Sequence, residues 1–217
     1  MTRKAPKPPI DDRLLDVAIE QFGRKGLEGA STRAIAAEAD TAMSSITYHY
    51  GGKQRLYLAA AGHIARNIGM RFAQATAAAR DPDELNAAQA SEQILLLADT
   101  FLNIMLAPEA APWARFIVRE QFEPTEAFTL MWEQFIKPVT TRLVRLVMRA
   151  GSGRWKLPEA RVLSLALFGQ VLIFRVGRGT ALGLTGWNDV GPAQIAEIRR
   201  VVHSNIRTIL SSTGDRS

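Results

Sequence analysis

Cysteine is absent from the 217 residues. That excludes disulfides, thiolate zinc sites, iron–sulfur clusters and a cysteine nucleophile. Histidine is scarce: His49, His63 and His203 are the three present, far apart in the chain, so no metal site is expected. No run of alternating β-branched residues reads as a strand. The longest nearly uncharged apolar stretch, 162–174, is bounded by Arg161 and Arg175 and falls short of the ~20 apolar residues a membrane span needs. It reads as a buried helix of a cytoplasmic chain with no membrane partner. The opening MTRKAPKPPI is basic and proline-rich, with no apolar segment of the kind an export signal carries. Catalytic signatures are missing too. There is no phosphate-binding glycine loop, no H-E-x-x-H and no G-x-S-x-G, and Gly177-Arg178-Gly179 lacks the strand context of a nucleotide loop. The chain reads as a non-enzyme without a cofactor.

What is present is ordinary globular material. Hydrophobic residues make up 47% and charged residues 22%, enough for a core. The net charge of +6 points to an acidic partner, nucleic acid before membrane surface. Residues 1–10 read as a disordered basic arm, with Arg3, Lys4 and Lys7 among prolines. Asp11 or Asp12 can cap a first helix, whose Leu14, Leu15, Ala18, Ile19 and Phe22 repeat at helical spacing and which Gly23 and Gly26 should end. A second helix opens at Ser31 or Thr32 and runs to Ala39, a third covers 44–50, and a fourth runs from Lys53 to about Ala79. Further helices are expected over 84–106, 110–122, 125–150, 158–178 and 192–211, with prolines in the gaps and Pro138 kinking or splitting the third of them. The fold class is all-α, with a three-helix N-terminal domain and a larger helical body.

Residues 31–56, STRAIAAEADTAMSSITYHYGGKQRL, have the proportions of helix, tight turn and helix. The turn falls at 40–42, where Asp40 tolerates a left-handed backbone better than most residues with a Cβ. Two short helices at a steep angle form a helix-turn-helix, whose second member can enter the DNA major groove. Ile46 and Tyr50 fall on its inner side. Ser44, Ser45, Thr47, Tyr48 and His49 can meet phosphates or base edges. Thr32 and Arg33 open the preceding helix. Lys53 sits at the first turn of the next one, where its ammonium joins free backbone N–H groups.

These pieces resemble the TetR family of bacterial transcription regulators. The matching residues are Phe22 and Gly26, Thr32-Arg33-x-Ile35-Ala36-x-x-Ala39, Tyr48-His49-Tyr50 and Gly52-Lys53-x-x-Leu56. SSITYHYGGKQRLYLA and WARFIVREQFEPTEAF resemble the CecR-like subgroup. The resemblance implies a homodimer on palindromic operator DNA, most often a repressor, released by a small-molecule effector in the C-terminal domain. It assigns 11–58 to DNA binding and 59–217 to effector binding and dimerisation. Two departures stand out. Asp40 holds the turn position usually occupied by Gly, with Thr41 after it. Ala42 cannot cap the recognition helix, which costs roughly 1 kcal/mol unless Thr41 substitutes.

Beyond the motif, Phe101, Met105, Trp113, Phe116, Met131, Trp132 and Phe135 gather aromatic and Met side chains mid-chain. Most must be core, and some can line an effector pocket. Phe101, Met105, Phe116, Arg119 and Trp132 are the ligand candidates, and Arg115, Glu120, Gln121 and Gln134 could add polar groups. Acidic residues are missing between Glu133 and Glu159, while Lys137, Arg142, Arg145, Arg149, Arg154 and Lys156 all occur. That stretch is either a solvated face or an attractor for an anionic ligand or membrane surface. For the dimer, Leu163, Leu167, Val171 and Phe174, with Ile195, Ile198, Val202, Ile206 and Ile209, form apolar stripes that should pair across a two-fold axis. The alternative from another class is an all-α small-molecule carrier or enzyme using a C-terminal cavity, which leaves 31–56 unexplained.

Overall fold

A computed structural model of the chain describes residues 10–211. The basic arm expected over 1–10 lies, apart from Ile10, outside the described residues. Those residues form an all-α fold, with no strand among them. The first four helices are α1 (Ile10–Gly29), α2 (Thr32–Glu38), α3 (Met43–Tyr50) and α4 (Lys53–Ala75). A 3-10 turn (Pro82–Glu84) leads to α5 (Ala87–Leu106), α6 (Ala110–Phe122) and α7 (Glu126–Met131). A π-helical turn (Trp132–Ile136) then joins α7 to α8 (Lys137–Ala150), and α9 (Leu157–Val176), α10 (Arg178–Thr185) and α11 (Pro192–Ser211) complete the chain.

Several boundaries have a local cause. Helix α1 runs on through Gly23 instead of ending there. It breaks at Gly26, whose φ of 72° and ψ of 177° are closed to residues with a Cβ. Asn86 caps α5, accepting from the Gln89 N–H at 2.9 Å while the Gln89 side chain accepts from the Asn86 N–H at 3.0 Å. The expected single helix over 125–150 is interrupted by the π turn. Pro138 has no N–H to offer the Gln134 carbonyl, and its ring would clash there, so the helix widens one turn earlier. Helix α4 stops four residues short of Ala79, and α10 was not expected.

The chain forms two compact units. One unit comprises residues up to 67 together with 112–133; the other comprises 68–111 and 134 onward. In the first, Leu14, Ala18, Ile19, Phe22, Ile35, Ile46, Leu56 and Ile64 make the core. The ring of Tyr57 lies edge-on to Phe22 at 4.9 Å and stacked on Phe116 at 4.6 Å. In the second unit α5 packs against α8, α9 and α11. Phe72, Phe101 and Phe168 follow one another in contact across it.

Four arginines of the basic stretch staple the second unit to itself. Arg142 donates to the Arg80 carbonyl at 2.8 Å and to Gln93 at 2.6 Å. Arg145 bridges Asp81 and Asp83, each at 2.6 Å. Arg149 donates to the Leu85 carbonyl. Arg154 lies over the Trp155 ring and closes the end of α11 through the Ile209 and Leu210 carbonyls. These guanidinium groups are engaged by the chain itself.

The apolar stripes named for the dimer also need correction. Leu167, Val171, Ile198, Val202 and Ile206 are buried inside their own unit. The open face of α9 is instead Val162, Leu165, Leu172, Ile173 and Val176, exposed by 68, 68, 37, 52 and 56%. By length and composition α9 could cross a membrane. Its inner face, Ala160, Ser164, Leu167 and Val171, packs within the unit.

Candidate nucleic-acid interface

Helices α2 and α3 are held by short-range chemistry that their sequence supplies. The Ser31 hydroxyl caps α2 by accepting from the Ala34 N–H at 3.4 Å. Ile35, Ala36 and Ala39 pack inward as their spacing requires. In the turn, Asp40 takes a left-handed φ of 56°, the Thr41 N–H reaches the Ala36 carbonyl at 2.9 Å, and Arg13 faces the Asp40 carboxylate at 3.6 Å. Ala42 precedes α3 with no side-chain cap. Thr41 does not replace it, so the N–H groups of Met43 and Ser44 have no side-chain cap, while the Ser45 N–H bonds the Ala42 carbonyl at 3.0 Å. The other end is closed by Gly51, left-handed at φ 71°, whose N–H reaches the Thr47 carbonyl at 2.9 Å.

Ile46, 1% exposed, anchors α3 to the core. The opposite face is open. Ser44, Thr47, Tyr48 and His49 are exposed, Ser45 is half-buried, and Tyr48 reaches 85% exposure. The Tyr48 and His49 rings meet edge-to-face at 5.0 Å. Tyr50 is half-buried at the inner edge. Thr32 is half-buried at the start of α2, and Arg33 beside it is exposed. All eight residues singled out for DNA contact therefore lie on α2, α3 and the first turn of α4.

Lys53 has a partner that its sequence position did not reveal. Its ammonium donates to the Glu28 carbonyl at 2.8 Å, tying the start of α4 to the end of α1 next to Ser31. Two of its three protons stay available. Nearby Arg55, which no motif singles out, is exposed and folded back over Gly51, its Nη1 3.2 Å from where a Gly51 Cβ would stand.

Behind this surface is a buried polar junction that the sequence left hidden. Glu120 on α6 is 1% exposed. It accepts from the Tyr57 hydroxyl at 2.6 Å and from the Thr125 N–H at 3.0 Å. The Thr125 hydroxyl lies 3.0–3.1 Å from the same carboxylate and caps α7 through the Ala127 N–H. Burial first, and the adjacent carboxylate second, push the Tyr57 phenol above its ordinary range. Arg115 pairs with Glu20 at 2.5 Å in the same unit. No motif announces Glu120; only the pairing of two distant positions identifies it.

The ligand candidates are divided between the two units. Phe101 and Met105 lie in the second unit. Phe116 is fully buried in the first, against Tyr57. Arg119 lies against Gly26 and donates to the Arg24 carbonyl at 3.5 Å, and Trp132 stacks on Phe128. Glu120, offered as a pocket group, belongs to the junction above. His63 and His203 each face aspartates: Asp12 and Asp16 for the first, at 3.9 and 3.7 Å, and Asp99 for the second, at 2.9 Å.

The helix-turn-helix can be set beside known proteins. Residues 14–60 match the model of bacterial regulatory proteins of the tetR family. Residues 90–212 match the C-terminal domain of the HTH-type transcriptional dual regulator CecR. The chain belongs to the TetR family. CecR of Shigella flexneri is 35% identical over 212 residues, covering 94% of this chain and 93% of that protein. Among solved structures, a regulator from Pseudomonas aeruginosa PAO1 aligns with a TM-score of 0.65 at 17% identity, over 93% of this chain and 90% of its own. AibR in complex with isovaleryl coenzyme A and operator DNA aligns at 0.62 and 15% identity, over 91% and 97%. This TetR-family chain is thus a DNA-binding transcriptional regulator and not an enzyme. The carrier or enzyme alternative falls with that assignment.

Proposed function

We propose that this regulator is a ligand-responsive cytoplasmic repressor that binds a palindromic operator as a homodimer. Its DNA contacts are Thr32, Arg33, Ser44, Ser45, Thr47, Tyr48, His49 and Lys53. The observation that carries the reading is the open polar face of α3, backed by a buried Ile46 and flanked by the exposed Arg33. Small hydroxyls on a helix face suit base edges and phosphates. The apolar face of α9 supports the dimer, since a stripe of Val162, Leu165, Leu172, Ile173 and Val176 left open to water favours a second copy. Gly169 lies in that stripe, with nothing within 4 Å of where its Cβ would be, and leaves room for close approach. A two-fold assembly would present two recognition helices to two half-sites, hence the palindrome. The second unit, with Phe101 and Met105 in its apolar interior, is the proposed home of an apolar or aromatic effector. AibR, seen with both a small molecule and operator DNA, supports an effector for this chain.

The test is a mobility-shift titration with the DNA upstream of the protein's own gene. Thr47→Ala should change the preferred base at one position of each half-site by roughly 1–3 kcal/mol or less, a hydroxyl being weaker than a bidentate pair. Absence of any duplex bound above the non-specific level, from that region or from a randomised pool, would overturn the reading.

A further inference from the structure

The family pattern Gly52-Lys53-x-x-Leu56 leaves position 55 open, and the structure puts a guanidinium there with nothing to do. Among the described residues Arg55 has no hydrogen bond and no ion pair. It is exposed, on the first turn of α4, and its side chain turns back along Gly51 at the C-terminal end of α3. The first turn of α4 holds no acidic residue to neutralise it. Lys53, two residues earlier, already spends one donor on the Glu28 carbonyl. An exposed arginine lying alongside a recognition helix without a counter-ion is a cation waiting for an anion.

We propose that Arg55 is a further DNA-backbone contact of this regulator beside Lys53, clamping the phosphate that flanks the C-terminal end of α3. This rests on the reading that α3 enters the major groove. A phosphate, not a base, is the target because Arg55 stands on α4. Base edges are read mainly from the N-terminal residues of a recognition helix, and contacts outside the groove go to the backbone. Guanidinium also suits the target, since its planar fork grips a phosphate through two parallel N–H bonds. Gly51 leaves room for this placement: a Cβ there would stand 3.2 Å from Arg55 Nη1, a tight contact.

The experiment compares wild type, Arg55→Gln and Arg55→Lys on a duplex selected from a random pool with the wild-type protein, over a series of salt concentrations. Each phosphate contact contributes about 0.9 to the slope of log affinity against log salt. Arg55→Gln should flatten that slope by about 0.9 per bound chain. It should also lower affinity for all sequences by a common factor, leaving the ratio between the selected duplex and its single-base variants unchanged. Arg55→Lys should keep most of the slope. A slope for Arg55→Gln equal to wild type overturns the proposal, and so does a changed base preference, which would make Arg55 a base reader. Wild type failing to bind any duplex would instead overturn the DNA-binding face itself. The side chain is exposed, and matching thermal melts of the three proteins would show that a flattened slope is not a folding defect.

Discussion

Tyr57 has its ring held between Phe22 and Phe116 and its hydroxyl against a carboxylate that water does not reach. Replacing it by Phe keeps the ring packing and removes one donor from a charged acceptor. A hydrogen bond to a charged group contributes about 1.5–3 kcal/mol, because the acceptor left behind is desolvated and short of a partner. Tyr57→Phe should therefore lower the unfolding free energy by that amount, seen as a lower urea midpoint with little change in the denaturant slope. A loss below about 0.5 kcal/mol would mean that Glu120 takes its stability from Thr125 alone. The phenol, already a donor at physiological pH, is pushed further from ionising by burial and the Glu120 carboxylate. At this scale the sequence was legible where a residue's role is local. Ser31 as a cap, Asp40 in a left-handed turn and Ile46 as an anchor follow from chain neighbours. The Tyr57–Glu120 bond joins positions 63 apart, and no local rule connects them.

Among the elements, α8 shows how charge is used to fasten a turn. The Asp83 N–H first, and the Arg145 guanidinium second, hold the Asp81 carboxyl below its ordinary value of 3.8. A depressed carboxyl stabilises the folded state above that ordinary value, and the contribution is lost as the pH falls through the lower, folded one. Asp81→Asn should thus melt below wild type at pH 7, and the two curves should converge as the pH drops well under 3.8. The effect is small, because both partners are solvated; curves that stay equally far apart in acid would assign the loss to something other than charge. The expected helix over 110–122 matches the observed α6, and the start expected at 192 matches that of α11, which Pro192 opens. Helix α10 was missed because Gly179 and Gly183 argue against a helix on intrinsic preference. Helix α9 was found but read from the wrong side. It is apolar around most of its circumference, so spacing alone does not say which stripe faces its own unit.

Across the molecule, that ambiguity becomes a test of assembly. Val171 is 1% exposed and Leu165 is 68% exposed on the same helix. Val171→Glu buries a charge in the protomer and should unfold it. Leu165→Glu places a charge on the open stripe, where a two-fold partner would repeat it. It should sediment as a monomer with unchanged far-ultraviolet circular dichroism. A Leu165→Glu protein that remains dimeric would move the interface off α9.

The split of the chain into units also bears on modular exchange. The helix-turn-helix match ends at residue 60, yet the unit around it draws 112–133 from much further along. A hybrid regulator joined at residue 60 to a foreign C-terminal half would keep the DNA-reading face intact. It would leave the Tyr57 hydroxyl facing whatever residue the donor happened to bring in place of Glu120, and Glu20 without Arg115. Transplanting this reading head onto another sensor requires two segments to travel together, the first sixty-odd residues and the α6–α7 corner that completes their core.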